Sequence, residues 1–294
     1  MINSKQEKYL KQLKKEYSTL SKGKESLLEI ISEAELPESV YNSNAIENST
    51  LSMAETEKIL LELEVAREVS VREVFEAKNL ARVFEYLEKK LSKLELNKEL
   101  ILFVHKMLIS GINDDIAGRF RKQGEFVRVG TYIAPAPEQV RRMIRQTFIE
   151  YKNSKTHTLN KVAKFHLDFE IIHPFIDGNG RIGRVLINFQ LMKNNYPPII
   201  IRDKEKPKYY KTFKTYREKS NIDSMVVIIY LALTESLHKR IAYLKSQEIV
   251  KLTKYADKND TSKHSLLNKA RRQTIPAFRE KGVWKIGADY LSNE

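Results

Sequence analysis

Most of this chain repeats apolar residues at three- and four-residue spacing, which is typical of amphipathic α-helices. Residues 4–20 show the pattern first, with Leu10, Leu13 and Leu20 set among lysines. A chain built in this way is expected to fold as a mainly α-helical protein, in which each helix buries one apolar face. Besides 4–20, the predicted helices are 53–64, 71–91, 98–109, 138–153, 159–172, 208–219, 222–245 and 262–272, and one that begins near Arg181.

Three local signals set helix ends in the first 55 residues. A second helix follows Gly23, and Pro37 is expected to end it because proline lacks the N–H that a helix interior needs. Residues 40–48 are then predicted to form one or two short turns closed by Asn48, which tolerates the left-handed conformation at a helix C-terminus. Ser52 and Glu55 form a capping box, which predicts a helix start at residue 53.

Two segments depart from the helical spacing. Residues 125–133 alternate apolar and polar positions around Gly130, which predicts a short β-hairpin inside a helical protein. Near the C-terminus, residues 274–278 are extended and 282–286 read as the second arm of a tight hairpin. We therefore expect the last 45 residues or so to form a small unit of their own, at the lower end of the domain size range.

The amino-acid composition excludes several kinds of functional site and indicates one kind of partner. The 294 residues contain no Cys, which excludes disulfides, cysteine-ligated zinc, iron–sulfur clusters and thiol nucleophiles. There are 52 Lys and Arg against 38 Asp and Glu, and the formal net charge of +14 indicates a polyanionic partner. Residues 1–24 and 250–294 each carry +5, so the central part of the chain is nearly balanced.

Membrane insertion and export are not expected. The first residues are rich in Lys and show no apolar leader segment. The longest apolar run, residues 225–233, has nine residues, whereas a membrane-spanning helix needs about 20. These features predict a cytoplasmic protein without a membrane partner.

The segment from His173 to Arg184 concentrates residues that carry chemistry. It reads His-Pro-Phe-Ile-Asp-Gly-Asn-Gly-Arg-Ile-Gly-Arg, which also matches the dinucleotide pattern G-x-G-x-x-G. We reject that reading because the pattern must follow a strand, and the residues before this one have helical spacing. Two glycines separated by Asn179 instead permit converging backbone N–H groups at a helix N-terminus, which together would form an anion cradle.

The charged side chains of the same segment suit phosphate chemistry. Arg181 and Arg184 are three residues apart, so both lie on one helix face and could each grip a phosphate. Asp177 supplies the kind of oxygen ligand that Mg²⁺ prefers, and His173 could accept a proton near neutral pH. The pattern indicates phosphoryl or nucleotidyl transfer; the alternative is a plain turn with a core histidine and solvated arginines.

The motif His-Pro-Phe-Ile-Asp-Gly-Asn-Gly-Arg-x-x-Arg resembles the signature of the Fic family, whose members mostly transfer AMP from ATP to a hydroxyl of a target protein. The resemblance extends from about residue 40 to about 240. Residues 117–121 and the hairpin 125–137 are similar to the flap that clamps the target as an added strand, with Val127, Val129, Gly130 and Thr131 as the docking residues. Residues 196–202 and 208–210 are similar to the stretch that closes over the adenine.

The resemblance implies a role for each motif residue. His173 would be the base that takes the proton of the target hydroxyl, and Asp177 would hold Mg²⁺ on the α- and β-phosphates. The anion hole would consist of Gly178, Asn179 and Gly180, with Arg181 on the β-phosphate and Arg184 on the γ-phosphate. Tyr209 and Tyr210 would contact the adenine, although a core pair is the alternative, and Arg217 replaces an Asn that some relatives carry.

A second motif resembles that of the self-inhibited members of the family. Ser43, Glu47 and Asn48 fit the pattern [Ser/Thr]-x-x-x-Glu-[Gly/Asn] of the inhibitory helix, placed here at about 40–48. A Glu47 carboxylate paired with Arg184 would occupy the group meant for the γ-phosphate. In close relatives the same glutamate aligns a water that removes AMP from the target, so this chain is expected to be able to do both.

The expected architecture is thus a Fic-type helical bundle with a β-hairpin flap and a small winged-helix-like module. We predict an N-terminal helical region at 1–94, a Fic catalytic core at 95–245 and a basic module at 246–294. The module resembles an excisionase-type winged helix that could bind DNA; a solvated appendage or a protein-docking module is the alternative.

Three functions are open for the whole chain. The first is an adenylyltransferase of bacterial origin that uses ATP and Mg²⁺ and modifies target proteins and itself, with a homodimer as a further expectation. The second is a DNA-binding regulatory protein whose core senses nucleotide or has low activity. The third is a purely structural helical scaffold, which would make the whole loop a coincidence.

Overall fold

The computed structural model describes residues 2–62 and 69–290, and within these ranges the chain is mainly helical, as predicted. The two short 3₁₀ turns are Leu91–Lys93 and Asp203–Glu205. The strands are β1 Arg128–Val129, β2 Tyr132–Ile133, β3 Ile249–Lys251, β4 Phe278–Glu280 and β5 Val283–Gly287. The helices are α1 Ser4–Leu20, α2 Glu25–Ile46, α3 Met53–Leu61, α4 Val71–Lys90, α5 Lys98–Ile109, α6 Pro137–Asn153, α7 Thr158–Ile172, α8 Asn179–Lys193, α9 Lys206–Lys219, α10 Asp223–Leu244, α11 Leu252–Lys258 and α12 Lys263–Arg271.

The backbone contacts divide the chain into two units. Unit 1 comprises Leu36–Ile228, and unit 2 comprises Ile2–Glu35 together with the residues from Ile229 onward. Unit 1 holds all the residues of the predicted nucleotide site, and unit 2 holds the basic C-terminal segment. The domain boundaries predicted at 94/95 and 245/246 concern sequence modules and stay a prediction.

Helix α2 corrects one prediction. Pro37 does not end a helix, because α2 continues through it from Glu25 to Ile46. A proline inside a helix costs about 3 kcal/mol, and the burial of Val40 and Ile46, both fully covered, offsets that cost. The segment 40–48 is therefore the last part of a long helix. Asn48 follows its end at φ 70°, which agrees with the predicted left-handed cap.

The capping box before α3 is confirmed. The Ser52 hydroxyl accepts the Glu55 N–H at 3.2 Å, and the Glu55 carboxylate accepts the Ser52 N–H at 2.7 Å. The bounds of α5 coincide with the predicted 98–109. The predicted end of α3 near residue 64 lies outside the described residues.

Helix α8, which carries the motif arginines, is the centre of unit 1. It packs against α7, α4 and α5, and most of its residues are buried. The packing positions the N-terminus of α8 rigidly, since a helix covered on all sides cannot shift without opening the core. The same apolar core contains Ile182, Val185 and Phe189 of α8 and, from the other helices, Leu80, Val83, Leu100, Val104, Phe165 and Phe169.

Both predicted hairpins are present, and the C-terminal one differs in extent. Strands β1 and β2 pair antiparallel, with Val129 opposite Tyr132 and with Gly130 in the turn at φ 58°. In unit 2, β4 and β5 form the hairpin and β3 adds a third strand, in the order β3-β5-β4. Strand β3 and helix α11 were not predicted, because three and seven residues are too few to show a period. The winged-helix assignment stays a prediction.

None of the helices in the described ranges is long and apolar enough to cross a membrane.

Candidate active site

His173 lies at the end of α7 because of the proline that follows it. A residue before proline disfavours the helical conformation, and His173 adopts a left-handed one at φ 49°. Its carbonyl accepts a hydrogen bond from Nε of Arg121 at 2.8 Å, and the backbone N–H of Arg121 donates to the Pro174 carbonyl at 3.0 Å. The turn is thus fixed from both sides by one buried arginine, which belongs to the segment 117–121 and for which the sequence predicts no separate role.

The protonation state of His173 allows it to accept a proton. Its Nδ1 lies 3.2 Å from the Glu170 carbonyl oxygen, so the tautomer protonated at Nδ1 donates there and leaves Nε2 with a free lone pair. Burial lowers the pKa of His173 to about 4. The imidazole is therefore neutral at physiological pH and available as a base.

The loop between His173 and α8 is closed by Asn179. Its side-chain oxygen accepts the Phe175 N–H at 2.9 Å, and its amide donates to the Phe175 carbonyl at 2.9 Å. Gly178 has φ 81°, a conformation that favours glycine. The predicted anion loop of Gly178, Asn179 and Gly180 thus lies at the N-terminus of α8, where backbone N–H groups attract anions.

His105 of α5 also holds this loop in place, and the sequence analysis did not predict this role. Its Nδ1 accepts the Gly118 N–H at 3.0 Å, so Nε2–H donates to the Asp177 carbonyl at 3.1 Å. The ring stacks on Phe175 with centroids 3.6 Å apart. Burial lowers the pKa of His105 to about 4, which keeps it neutral. A polar residue at a core position of α5 was the only sequence signal for it.

Arg184 binds side chains at the C-terminal end of α2. Its Nη2 lies 2.9 Å from Oε1 of Glu47, and its Nε donates to the Ser43 hydroxyl at 3.0 Å. Burial alone would lower the pKa of Arg184, but Glu47 keeps it above the usual value. A Cβ placed on Gly180 would collide with Oε1 of Glu47, so the carboxylate lies directly over the anion loop. The structure therefore brings all three residues of the predicted inhibitory motif to this end of the site.

Asp177 and Arg181 pair with each other and with α4. Oδ1 of Asp177 lies 3.0 Å from Nη2 of Arg181, and Oδ2 pairs with Arg72. Nη1 of Arg181 lies 3.1 Å from Oε1 of Glu76. Burial works to raise the pKa of Asp177, but Arg181 and then Arg72 hold it below the usual value. Neither Arg72 nor Glu76 was foreseen, because their contacts span about a hundred residues of sequence.

Glu170 is a further group that sequence reasoning missed. Its carboxyl is buried one turn before His173, with Oε2 3.9 Å from Nδ1 of that histidine. Burial raises the pKa of Glu170 to about 8, and the charge of Glu47 adds to the effect. Oε1 of Glu170 has no hydrogen-bond partner within the described part of the chain. An unpaired buried oxygen of this kind calls for a functional explanation.

The predicted adenine contacts separate into two environments. Tyr209 is fully buried, and its hydroxyl lies 2.7 Å from Nε2 of His166. Tyr210 is partly exposed, and its hydroxyl donates to the Ile46 carbonyl of α2 at 3.1 Å. Arg217 stacks over the ring of Tyr132 in the flap, 4.4 Å from its centroid. The position that differs from some relatives therefore links α9 to the flap.

These groups surround one cavity of ≈ 390 Å³. The flap residue Thr131 and the motif residues Ser43 and Arg181 do not line it. A second cavity of ≈ 450 Å³ beside α6 and α7 has no glycine loop and only one arginine, so we place the chemistry in the first. The site residues predicted from the sequence that line the first cavity are Glu47, Asn48, Val127, Val129, Gly130, His173, Asp177, Gly178, Asn179, Gly180, Arg184, Tyr209 and Tyr210.

Asp177 is the only metal ligand that the sequence predicts, and the described residues around it do not complete a metal site. Within residues 2–62 and 69–290, no group of three or more His, Cys, Asp or Glu side chains could hold a metal by itself. Both oxygens of Asp177 are paired, Oδ1 with Arg181 and the Gly178 N–H, and Oδ2 with Arg72. One carboxylate plus phosphate oxygens is nevertheless a usual ligand set for Mg²⁺.

Comparison with known families agrees with this geometry. Residues 95–191 match the sequence model described as Fic/DOC family. This chain contains a Fic domain. The matched range contains the whole of the loop and its two arginines.

The curated relatives are similar over much of this chain. Protein adenylyltransferase Fic of Drosophila erecta is 30% identical over 257 residues, which cover 83% of this chain and 50% of the relative. The same protein of Drosophila willistoni is 33% identical over 184 residues, or 61% of this chain and 36% of the relative. The Fic-domain chain thus spans half or less of the length of these relatives.

Solved structures show the same fold. A Fic domain containing signaling protein from Bacteroides thetaiotaomicron superposes with TM-score 0.72 at 22% identity, over 81% of this chain and 97% of the other. Fic-1 of C. elegans, residues 134–508, gives TM-score 0.67 at 25% identity, over 82% and 72%. The Fic fold predicted from the motif is therefore confirmed. Since the relatives include flies, a nematode and bacteria, the bacterial origin stays a prediction.

Proposed function

We propose that this Fic-domain chain is a protein adenylyltransferase that transfers AMP from ATP to a Tyr, Ser or Thr hydroxyl of a target protein and of itself. The observation that carries the proposal is the convergence of a neutral His173, the anion loop 178–180 and Arg184 on one cavity. The name of the curated relatives, protein adenylyltransferase, supports the same reaction.

In this reaction the hydroxyl oxygen attacks the α-phosphorus of ATP. The bond from the α-phosphorus to the bridging oxygen of the β-phosphate breaks, and diphosphate leaves. The hydroxyl proton passes to Nε2 of His173, which is free because Nδ1–H donates to the Glu170 carbonyl. Arg121 keeps the ring in place by holding the His173 carbonyl. General-base catalysis of this type contributes about 10² to 10⁴ in rate.

The remaining motif residues bind the phosphates. The backbone N–H groups of residues 178–180 and the N-terminus of α8 would stabilise negative charge as it develops. Arg181 would hold the β-phosphate and Arg184 the γ-phosphate. Asp177 would hold Mg²⁺, which when bound neutralises phosphate charge. Both tyrosines of α9 line the cavity, and Tyr210, which is partly exposed whereas Tyr209 is buried, is the better placed of the two for the adenine.

The flap supplies the docking edge for the target. Among the described residues, strand β1 pairs with β2 alone, so an extended target segment could add to its other edge. Val127, Val129 and Gly130 line the cavity at this edge, with Thr131 in the adjoining turn. Main-chain pairing would bring a target hydroxyl towards His173 without demanding a particular target sequence.

Glu47 would keep the enzyme inactive. Its carboxylate lies 2.9 Å from Arg184 and over Gly180, the place in which a γ-phosphate would meet both. A negative charge there repels ATP and occupies the guanidinium fork. We expect the same carboxylate to orient a water for removal of AMP from the modified target.

Labelled nucleotides test the proposal directly. Glu47→Gly should raise AMP incorporation strongly when the protein is incubated with cell lysate and radiolabelled ATP, whereas Glu62→Gly, at the exposed residue that follows α3, should not. Parallel reactions with labelled GTP, CTP and UTP give the nucleotide preference. Equal labelling of wild type and Glu47→Gly would refute inhibition, and no labelling from ATP in either would refute the transferase.

Removal of AMP is tested on a target modified beforehand. Wild type should release AMP, and Glu47→Gly should not, because it lacks the carboxylate that orients the water. Release by both variants would show that Glu47 has no part in it.

A further inference from the structure

Four charged side chains form a closed ring on the phosphate side of the site. Arg72 of α4 bridges Asp177 and Glu76, the latter at 3.0 Å from Nε. Arg181 of α8 bridges the same two carboxylates, at 3.0 Å and 3.1 Å. Positive and negative charges alternate around the ring, so its net charge is zero. Glu47 takes no part in these contacts.

Each α4 residue occupies a place that the proposed reaction assigns to a ligand. Arg72 puts a positive charge on Asp177, the carboxylate expected to face Mg²⁺. Glu76 puts a carboxylate on Arg181, the guanidinium expected to face the β-phosphate. Arg72 therefore carries the sign of charge of the metal ion, and Glu76 carries that of the β-phosphate.

The exposures and hydrogen bonds indicate which half of the ring can leave. The Arg72 side chain is 55% exposed, whereas that of Arg181 is 4% exposed. The contact of Arg181 Nη1 with Glu76 is close but not aligned as a hydrogen bond, and neither Nε nor Nη1 has a hydrogen-bond partner among the described residues. Arg181 thus keeps buried donors that a phosphate could satisfy.

We propose that Arg72 and Glu76 stand in for the metal ion and the β-phosphate, and so set the metal requirement of nucleotide binding. Both must be displaced together for a metal–nucleotide complex to enter. After displacement, Arg72 and Glu76 remain paired with each other one turn apart on α4. The two ion pairs that they lose, Arg72 with Asp177 and Glu76 with Arg181, would be replaced by contacts of Asp177 with the metal ion and of Arg181 with the β-phosphate. This inference rests on the proposed function and adds a closure that is separate from Glu47.

The first test measures metal dependence. Mn²⁺ is titrated into the full chain with a non-hydrolysable ATP analogue, and bound Mn²⁺ is followed by electron paramagnetic resonance in the Glu47→Gly background. Arg72→Gln should lower the Mn²⁺ concentration for half-saturation about two- to fivefold, the worth of a half-exposed ion pair. Arg82→Gln, exposed on the same helix, removes the same charge and should leave it unchanged.

Two outcomes would overturn the assignment of Arg72. Equal midpoints in Arg72→Gln and Arg82→Gln would show that Arg72 does not compete with the metal. Weaker binding of the analogue by Arg72→Gln at saturating Mn²⁺ would make Arg72 a phosphate ligand instead. Absence of nucleotide-dependent Mn²⁺ binding in every variant would also overturn it.

The second test concerns Glu76. In the same background, Glu76→Gln should tighten ADP by about two- to fivefold relative to AMP, because only ADP has the phosphate expected at Arg181. Glu85→Gln, half-exposed on α4, is the matched control. Equal changes for ADP and AMP, or a loss of ADP affinity, would show that Glu76 merely orients Arg181.

The test of the proposed function is separate from these. A chain that shows the Mn²⁺ and ADP shifts but transfers no AMP would refute the transferase and leave the α4 pair established. A chain that transfers AMP without the shifts would refute only the α4 pair.

Discussion

Buried charges occur in both units, and they are used differently. In unit 2, Lys239 lies 3.0 Å from Glu35 and 3.1 Å from Glu280, while Arg240 pairs with Glu35 at 2.6 Å and with the Ser236 hydroxyl at 2.8 Å. In unit 1, three of the buried charged groups, Arg181, Arg184 and Glu170, lie at the candidate site, and each keeps a polar atom without a hydrogen-bond partner among the described residues.

The difference separates stability from binding. A buried charge with all its partners in place fixes one conformation, and loss of any partner leaves the others exposed to the full desolvation cost. Spare buried donors stabilise nothing by themselves, but they lower the cost of taking up a phosphate. The satisfied cluster is therefore structural, and the unsatisfied one is prepared for a ligand.

The largest effect is expected in unit 1, at the base. His173→Ala in the Glu47→Gly background should reduce AMP transfer by at least about 10² while nucleotide binding stays within about twofold, because the imidazole contacts the proton and not the phosphates. Transfer is measured with labelled ATP and binding by calorimetry. His264→Ala, at an exposed position of α12, is the control. A parallel loss of affinity would mean that His173 is structural.

In unit 2, the corresponding change should affect stability alone. Lys239→Met leaves Glu35 and Glu280 buried without their shared cation and should lower the free energy of unfolding by about 3–5 kcal/mol. Denaturant titration measures it, with Lys254→Met on the surface of α11 as the control. A change below about 1 kcal/mol would contradict the contrast between the two units.

Arg121 tests the positioning of the base. Arg121→Lys cannot reach the carbonyls of His173, Glu125 and Pro135 at once, as the guanidinium does at 2.8, 3.0 and 2.9 Å. We expect transfer to fall about 10- to 100-fold, since small displacements of a catalytic group are costly. The pH profile should keep its shape. Arg141→Lys, exposed on α6, should have no effect, and an unchanged rate in Arg121→Lys would remove the positioning role.

The smallest effect concerns Glu170 and pH. Its pKa is about 8 in the folded protein, above the ordinary value, so the folded state holds a proton that the unfolded state has lost. The stability that this proton provides is complete below about pH 4.5 and disappears as the pH rises through about 8. Glu170→Gln should therefore lose less stability than wild type between pH 5 and 8.

Denaturant midpoints across that pH range measure the effect, with exposed Glu138→Gln as the control. Glu47→Gly should also reduce the pH dependence, because the Glu47 charge contributes to the raised pKa of Glu170. Identical pH profiles for wild type and Glu170→Gln would show that the carboxyl titrates normally.

The sequence predicted what depends on local pattern. Helical spacing located α5 and α8, and the spacing of the motif placed Arg181 and Arg184 on one helix. The prediction that Pro37 ends a helix was wrong, because the local cost of the proline is outweighed by the burial of Val40 and Ile46. That burial is seen only in the folded chain.

Three of the site residues that the sequence did not predict act over long separations. His105, Arg72 and Glu76 meet the loop through contacts that join α5 and α4 to residues about 70 to 105 positions away. No spacing rule connects positions so far apart. Glu170 was missed for another reason: its neighbour relation to His173 is local, but its burial is not visible in the sequence.

Gly180 has a consequence for how such a protein can change by mutation. Any side chain at this position would collide with Glu47, and under the proposed mechanism a phosphate would occupy the same space once Glu47 moves away. If that proposal holds, a substitution at Gly180 would displace Glu47 but would also obstruct the phosphate. Variants that escape inhibition should therefore arise at Ser43, Glu47 or Asn48, and a selection for constitutive activity would recover hits in α2 and its cap but not in the loop.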